Sequence, residues 1–368
     1  MVTSVDTSEP SVVPGPPNGD ESARPPRGSR RAPVVVTVAG VLVGALVAAG
    51  FVSLPYYAIG PGSAYDAARL VTVRDHQAYP PHGEVLLTTV TLGRVNAYEA
   101  IQGWLERDVA VVPAHDVLGG TTPRRYEQQN VQAMTDSKQL ATYVAMRRLG
   151  LTVTVTGDGA QIASLVAAMP AARVLRVGDT ITAVDGRTVS IPEDLVKVIR
   201  GHRPGDTVHL RVLDAKGVAR EVDVVLGQRS DGSALLGVLS AAKNQRIHFP
   251  FTVNIDLRQV GGPSGGLAFT LAVLDVLTPG ELTGGVPIGV TGTIDLDGNV
   301  GPVGGVAQKT ATVRRAGAKL FLVPSDEYSE ARAHAGKGLR VARADTLDQA
   351  LAVLATLPGS NAGQFLQQ

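Results

Sequence analysis

Cysteine is absent from this 368-residue sequence, which excludes thiol nucleophiles, disulfides and cysteine-ligated metal. Aromatic residues are scarce at 4%, with a single tryptophan, and the formal net charge is only +1. No global field therefore recruits nucleic acid or acidic substrates, and nucleic acid is not an expected partner. What is present suffices for folding: 44% hydrophobic residues and 42 glycines, in a chain long enough for two sizeable cores, fit a globular α/β or α+β protein.

Met1 to Pro33 is rich in Pro, Ser, Gly and charge and almost lacks large apolar residues, the composition of a disordered tail. VVVTVAGVLVGALVAAGFVSL follows, Val34 to Leu54, 21 residues without a charge. As a helix, such a run reaches across the roughly 30 Å hydrocarbon core of a bilayer and is expected to be a transmembrane helix. Arg24, Arg27, Arg30 and Arg31 precede it, and the first basic residue after it is Arg69. That bias places the 1–33 tail in the cytoplasm and everything after Leu54 outside. A cleaved signal peptide is the alternative, but its apolar core usually spans only about 7–15 residues.

After the apolar run the periodicity predicts a strand in GEVLLTTVTLG, a helix over Ala97–Leu105, a short strand in VAVVPA and a long helix through QNVQAMTDSKQLATYVAMRRLG, ending at Gly150. His115 and Asp116 read as an ordinary loop pair, since no nucleophile lies nearby in the sequence. From Leu151 short strands and turns take over, with a hairpin around Lys216-Gly217 and a short helix in IPEDLVKVIRG between Pro192 and Gly201. This order, above all LRVGDTITAVDGRTV, resembles a PDZ domain of the kind found in bacterial proteases. The resemblance implies a 151–228 module that adds a peptide to a strand edge and holds its terminal carboxylate on backbone N–H groups. The implied loop is Gly157, Asp158, Gly159 and Ala160, followed by a strand from Gln161. This GDGA lacks the bulky apolar member of the usual Gly-Leu-Gly-Phe-like loop, so a module that only positions a neighbouring domain is the alternative.

In RQVGGPSGGLAFT one serine, Ser264, stands between glycine pairs ahead of an apolar, helix-like run. It reads either as a helix cap or as a presented nucleophile beside unsatisfied N–H groups that could stabilise an oxyanion. Downstream, Gly304-Gly305 opens a helix from Val306 to Gly317, on which Val306, Thr310 and Val313 share a face with Lys309. Lys309 either snorkels to solvent or is a buried amine whose pKa, about 10.4 when unperturbed, falls until it can act as a base. A neutral amine can take the proton of a serine hydroxyl.

GGPSGG, then TGTIDLDGNVGPVGGVAQK, then AGAKLFLVP resembles the proteolytic domain of Lon proteases, whose Ser-Lys dyad lies in Gly-Pro-Ser-Ala-Gly and Gly-Gly-x-x-x-Lys. The resemblance implies Ser264 as nucleophile, Lys309 as general base and Thr291 as the hydroxyl that holds the lysine amine. Gly265 replaces the usual Ala, a change expected to be tolerated. QAMTDSKQLATYVAMRR is similar to an earlier Lon helix containing Met-x-x-Ser, so the protease domain is expected in two parts, 66–150 and 229–357, with the PDZ-like module between them and a flexible tail at 358–368. The implied fold class is α+β: a transmembrane helix, a β-rich PDZ-like module and a Lon-type domain of the ribosomal-protein-like superfold.

No G-x-x-x-x-G-K-S/T motif occurs, because Gln308 stands where GGVAQKT would need a glycine. The layout resembles membrane-anchored Lon-like proteases of Gram-positive-type bacteria. It implies an ATP-independent serine endopeptidase without cofactor or metal, on the outer side of a bacterial cell membrane, acting on unfolded or membrane-proximal polypeptides. A homo-oligomer is left open. Two other readings remain at this stage: a PDZ scaffold with an inactive Lon-like half, and a GHMP-type small-molecule kinase using GGPSGG to hold phosphate.

Overall fold

The computed structural model describes residues 31–229, 231–257 and 260–366; the expected tail falls almost wholly outside them. The chain divides into a short unit ending at Ser53 and a large unit starting at Leu54. In the short unit, helix α1 (Arg31–Ala49) occupies most of the apolar run. It closes before the expected Leu54: Gly50 and Phe51 donate back to Val47 and Ala48 in a final turn. Leu54 precedes Pro55, a position disfavoured in the helical region. Helix α1 thus stops at Ala49, short of the expected Leu54, and among the described residues no helix is long and apolar enough to cross a membrane.

The large unit begins with strand β1 (Tyr56–Asp66) and continues through β2 (Glu84–Arg94), helix α2 (Ala97–Leu105), β3 (Ala110–Pro113) and the long helix α3 (Pro123–Arg148). Asn96 caps α2 with a reciprocal Glu99 bond, and Thr122 with Pro123 starts α3 earlier than the sequence pattern indicates. His115 and Asp116 lie on a short exposed helix, Ala114–Leu118, rather than in a loop, and pair with each other at 2.9 Å.

A second layer of structure follows: β4 (Ala160–Leu165), β5 (Thr180–Val184), helix α4 (Pro192–Ile199), β6 (Thr207–Leu213), β7 (Ala219–Val225) and β8 (Val238–Ala242). They form a sheet in the order β7-β6-β5-β4-β8. Alternation in TVHLRVL puts Val208, Leu210 and Val212 into its core, all fully buried. Thr154–Thr156 leads into this sheet and Arg246–His248 leads out of it, and the two segments pair antiparallel as a neck.

Beyond the neck come helix α5 (Gly266–Leu277), β9 (Pro287–Val290), helix α6 (Val306–Arg315), β10 (Leu320–Val323) and β11 (Arg340–Arg343). The principal sheet runs β11-β10-β9-β2-β1-β3. The pairing of β9 with β2 is parallel and aligns Ile288 with Val85, so strands from either side of the inserted module build one sheet. Every residue of α5 is buried, Thr270 and Asp275 among them, as expected for a helix apolar around most of its circumference. The last residues are ordered against this core. Phe365 is 1% exposed, Arg148 donates to its carbonyl, and Ser360 donates to Leu282, so 358–366 is a packed segment and not a flexible tail.

Candidate active site

Ser264 sits on the turn entering α5, and its loop is gripped from two sides. From α3, the Asn130 carbonyl accepts from Gly262 N at 2.8 Å, Ser137 Oγ donates to Pro263 O at 3.1 Å, and Lys138 Nζ donates to Leu257 O at 3.0 Å. From the end of β9, Gly292 N donates to Ser264 O at 3.0 Å and Thr291 Oγ1 reaches the same carbonyl at 3.4 Å. Ser137, of the Met-x-x-Ser segment, thus holds the residue next to Ser264. Gly266 is required by space: a Cβ there would lie 2.7 Å from the backbone N of Ile294. Gly265 is tighter than expected, since a Cβ would come 2.7 Å from Leu87 Cδ1 and 2.9 Å from Phe269 Cε2, both buried side chains. An alanine here must displace them, so the easy tolerance anticipated from sequence does not hold.

Lys309 lies in the first turn of α6, behind Gly305, whose φ of 69° is the left-handed conformation that glycine adopts without strain. The helix is buried from Val306 through Val313, more completely than one apolar face would require. Lys309 is 3% exposed, and its Nζ donates to Thr291 Oγ1 at 3.1 Å. Burial lowers its pKa from 10.5 to about 8, against the opposing attraction of the Glu327 carboxylate. Glu327 is fixed in turn by Val303 N, 2.9 Å from Oε1, while its Oε2 has no hydrogen-bond partner.

Ser264, Thr291 and Lys309 are therefore brought together. Thr291 is the junction, accepting from the amine and donating to the serine carbonyl. Among the described residues no direct hydrogen bond joins Ser264 Oγ to Lys309 Nζ, the looser arrangement common in a site without substrate. Both residues line an open cleft of about 1250 Å³ that continues along β1, β2 and α3. At the start of α5, Gly266 N bonds Pro263 and Leu267 N bonds Gly292. Among the described residues the N–H groups of Ser264 and Gly265 donate to no protein acceptor, which leaves both available as donors beside the serine. Chemically, the arrangement can supply a hydroxyl nucleophile, an amine base with a depressed pKa and backbone donors.

Gly157 to Ala160 do not form an open carboxylate-binding loop. Asp158 N donates to Lys243 O at 2.8 Å, Gly159 N to Ser190 O at 3.0 Å, and β4 is enclosed between β5 and β8. With β7 at the opposite edge, β8 is an edge strand of this sheet. It is flanked by α4 across a small pocket of about 80 Å³ lined by Leu195, Val196, Ile199 and the segment Leu235–Val238. Among the described residues the N–H groups of Leu236 and Gly237 bond no protein acceptor. The sequence signal was LLGVLS, Leu235 to Ser240, which contains the bulky apolar members that GDGA lacks.

Residues 241–356 match the family model of the Lon protease (S16) C-terminal proteolytic domain, and residues 147–226 match that of the PDZ domain. The chain is 36% identical over 95 residues to the Lon protease of Desulforamulus reducens, covering 25% of this chain and 12% of that protein. It is likewise 36% identical over 89 residues to the Lon protease of Mycolicibacterium smegmatis, 24% of this chain and 11% of the relative. Among solved structures, the PDZ domain of the SdrC-like protein of Listeria monocytogenes is 28% identical, covering 24% of this chain and 92% of that one with a TM-score of 0.22. This chain spans about an eighth of the length of the curated relatives it matches. It carries a PDZ domain and a proteolytic domain of the Lon family of serine-type peptidases.

Proposed function

We propose that this chain is a serine endopeptidase in which Lys309 removes the proton from Ser264 Oγ as it attacks a peptide carbonyl, Thr291 orients the amine, and the N–H groups of Ser264 and Gly265 stabilise the resulting oxyanion. The buried amine hydrogen-bonded to Thr291 beside the serine turn carries this reading. Phosphate binding by GGPSGG would leave that amine without a task. Because this sequence contains no nucleotide-binding loop, hydrolysis by it needs no ATP, and unfolded or flexible polypeptides are its substrates. The uncharged run from Val34 to Leu54 anchors it to a bacterial cell membrane, with the peptidase outside the cytoplasm as the arginine bias directs. An extended peptide end adds to the free edge of β8 beside α4. The test is hydrolysis of an unfolded protein by the full chain, with Ser264→Ala and Lys309→Ala each abolishing turnover and a serine-reactive acylating probe labelling Ser264 alone. Near-normal turnover by either folded variant refutes the dyad.

A further inference from the structure

Helix α2 is built inside out. Its buried residues are the small Ala100 and Gly103, the latter against Val109 and Val111, whereas Tyr98, Ile101, Trp104 and Leu105 are 47%, 54%, 64% and 83% exposed. At 100° per residue, these four fall on one side of the outward surface, and Glu99, Gln102 and Glu106 fall on the other. A helix that turns its large apolar side chains away from its own core presents a face that something outside the chain covers, and an apolar stripe on a short helix suits a water–lipid boundary. Trp and Tyr favour that boundary, because their rings are apolar and their polar atoms reach water.

The position of α2 in the chain identifies the occupant. The large unit starts at Leu54, whose N donates to Val95 O at 2.8 Å, and Asn96 is the cap of α2. The polypeptide therefore passes from the uncharged run into the large unit one residue from the helix cap. A helix of nine residues is about 14 Å long, so its whole apolar side stays within a short distance of that point. We infer that the Tyr98, Ile101, Trp104 and Leu105 face of α2 docks on the lipid surface next to the anchoring run. This rests on the anchoring reading above; what it adds is a second, peripheral contact that would fix the orientation of the large unit against the membrane.

The single tryptophan of the chain makes this directly measurable. The full chain would be reconstituted in vesicles of phosphatidylcholine with phosphatidylglycerol and floated on a density gradient. Trp104 emission would then be read with aqueous iodide and with lipids brominated on the upper acyl chain. The expected result is flotation, a blue-shifted emission, quenching by the brominated lipid and loss of iodide quenching. The double variant Ile101→Glu and Leu105→Glu should still float and still hydrolyse a short peptide, but regain iodide quenching and lose bromine quenching. Flotation with Trp104 fully open to iodide overturns the docking and leaves the anchor intact. Protection from iodide without bromine quenching means that protein, such as a second copy, covers the face, and this overturns the inference too. Failure to float refutes the anchor and the docking with it. Retained bromine quenching in the double variant would also refute this face as the contact.

Discussion

Replacing Lys309 by methionine should make the protein more stable while abolishing its activity. The folded chain holds this amine at a pKa of about 8 instead of 10.5. Two and a half units at about 1.4 kcal/mol each amount to about 3 kcal/mol against the folded state when the amine is charged. With 3% of Lys309 exposed, little solvent screening reduces that figure, and it already includes the attraction of Glu327. Methionine keeps the length of the side chain and loses one hydrogen bond to Thr291, worth about 1 kcal/mol, so the net gain at pH 7 is about 2 kcal/mol. The sign follows from proton counts. Below pH 8 both states carry the proton and the cost is complete; between 8 and 10.5 the unfolded chain binds more protons, so wild-type stability rises with pH; above 10.5 the cost is gone. Denaturant unfolding of wild type and Lys309→Met at pH 7, 9 and 10.5 measures this, and the advantage of the variant should shrink at each step. A variant less stable at pH 7, or an advantage that does not change with pH, would refute the claim that burial activates this amine.

Three further outcomes are expected. In Glu327→Gln the carboxylate that favours the ammonium form is removed, so the ionisation controlling hydrolysis, near pH 8 in the wild type, should move to lower pH and the rate at pH 7 should rise; a profile moved upward or unmoved would separate Glu327 from Lys309. Gly265→Ala should cost about 1–3 kcal/mol of stability as Leu87 and Phe269 give way, measured by thermal unfolding, and a neutral result would mean the turn relaxes freely. Asp275, whose carboxyl burial raises from 3.8 to about 7, has Leu282 N on Oδ1 and no partner for Oδ2. Its folded pKa is raised, so stability falls as pH rises from 3.8 to 7; Asp275→Asn should therefore be the more stable protein at pH 8 and lose that advantage toward pH 4.

What could be read from the sequence was whatever local pattern alone decides. The Ala97–Leu105 helix, the Lys216-Gly217 hairpin and the start of α6 at Val306 follow from caps, alternation and glycine placement. Ser264 and Lys309 stood out as a serine between glycine pairs and a lysine on an apolar helix face, but the choice between their two readings, and Thr291 altogether, came from the resemblance to Lon proteolytic domains. β1 was not anticipated: Tyr56–Asp66 is one strand that absorbs Gly60, Pro61 and Gly62 through a register shift between Pro61 and Ala64. The 358–366 segment was misjudged because its only large apolar residues, Phe365 and Leu366, are too few to show a pattern, and burial of Phe365 is decided by distant partners such as Arg148.

The misplaced peptide loop has a different cause, which bears on how the two domains share the chain. A loop before the second strand was sought at the start of the module, but strand order in space is not strand order in sequence: β8, the last strand of the module, takes the open edge beside β4. Residue 241, where the match to the Lon domain begins, lies inside β8. The free edge of the PDZ sheet and the neck strand Arg246–His248 are thus separated only by the Lys243-Asn244-Gln245 turn, and Thr252–Ile255 follows at once into pairing with Val71–Arg74 of the protease part. The peptide addition proposed at β8 is expected to act on the backbone that runs from β8 through the neck to Leu257, whose carbonyl Lys138 holds from α3. Covalent continuity of this kind would give the module a mechanical route to the Ser264 turn. Lys138→Met would weaken the last link of that route without touching Ser264, Thr291 or Lys309. A Lys138→Met chain should keep peptide affinity at β8 while losing any change in turnover that the bound peptide produces; turnover that still responds to the peptide as in wild type would refute the route.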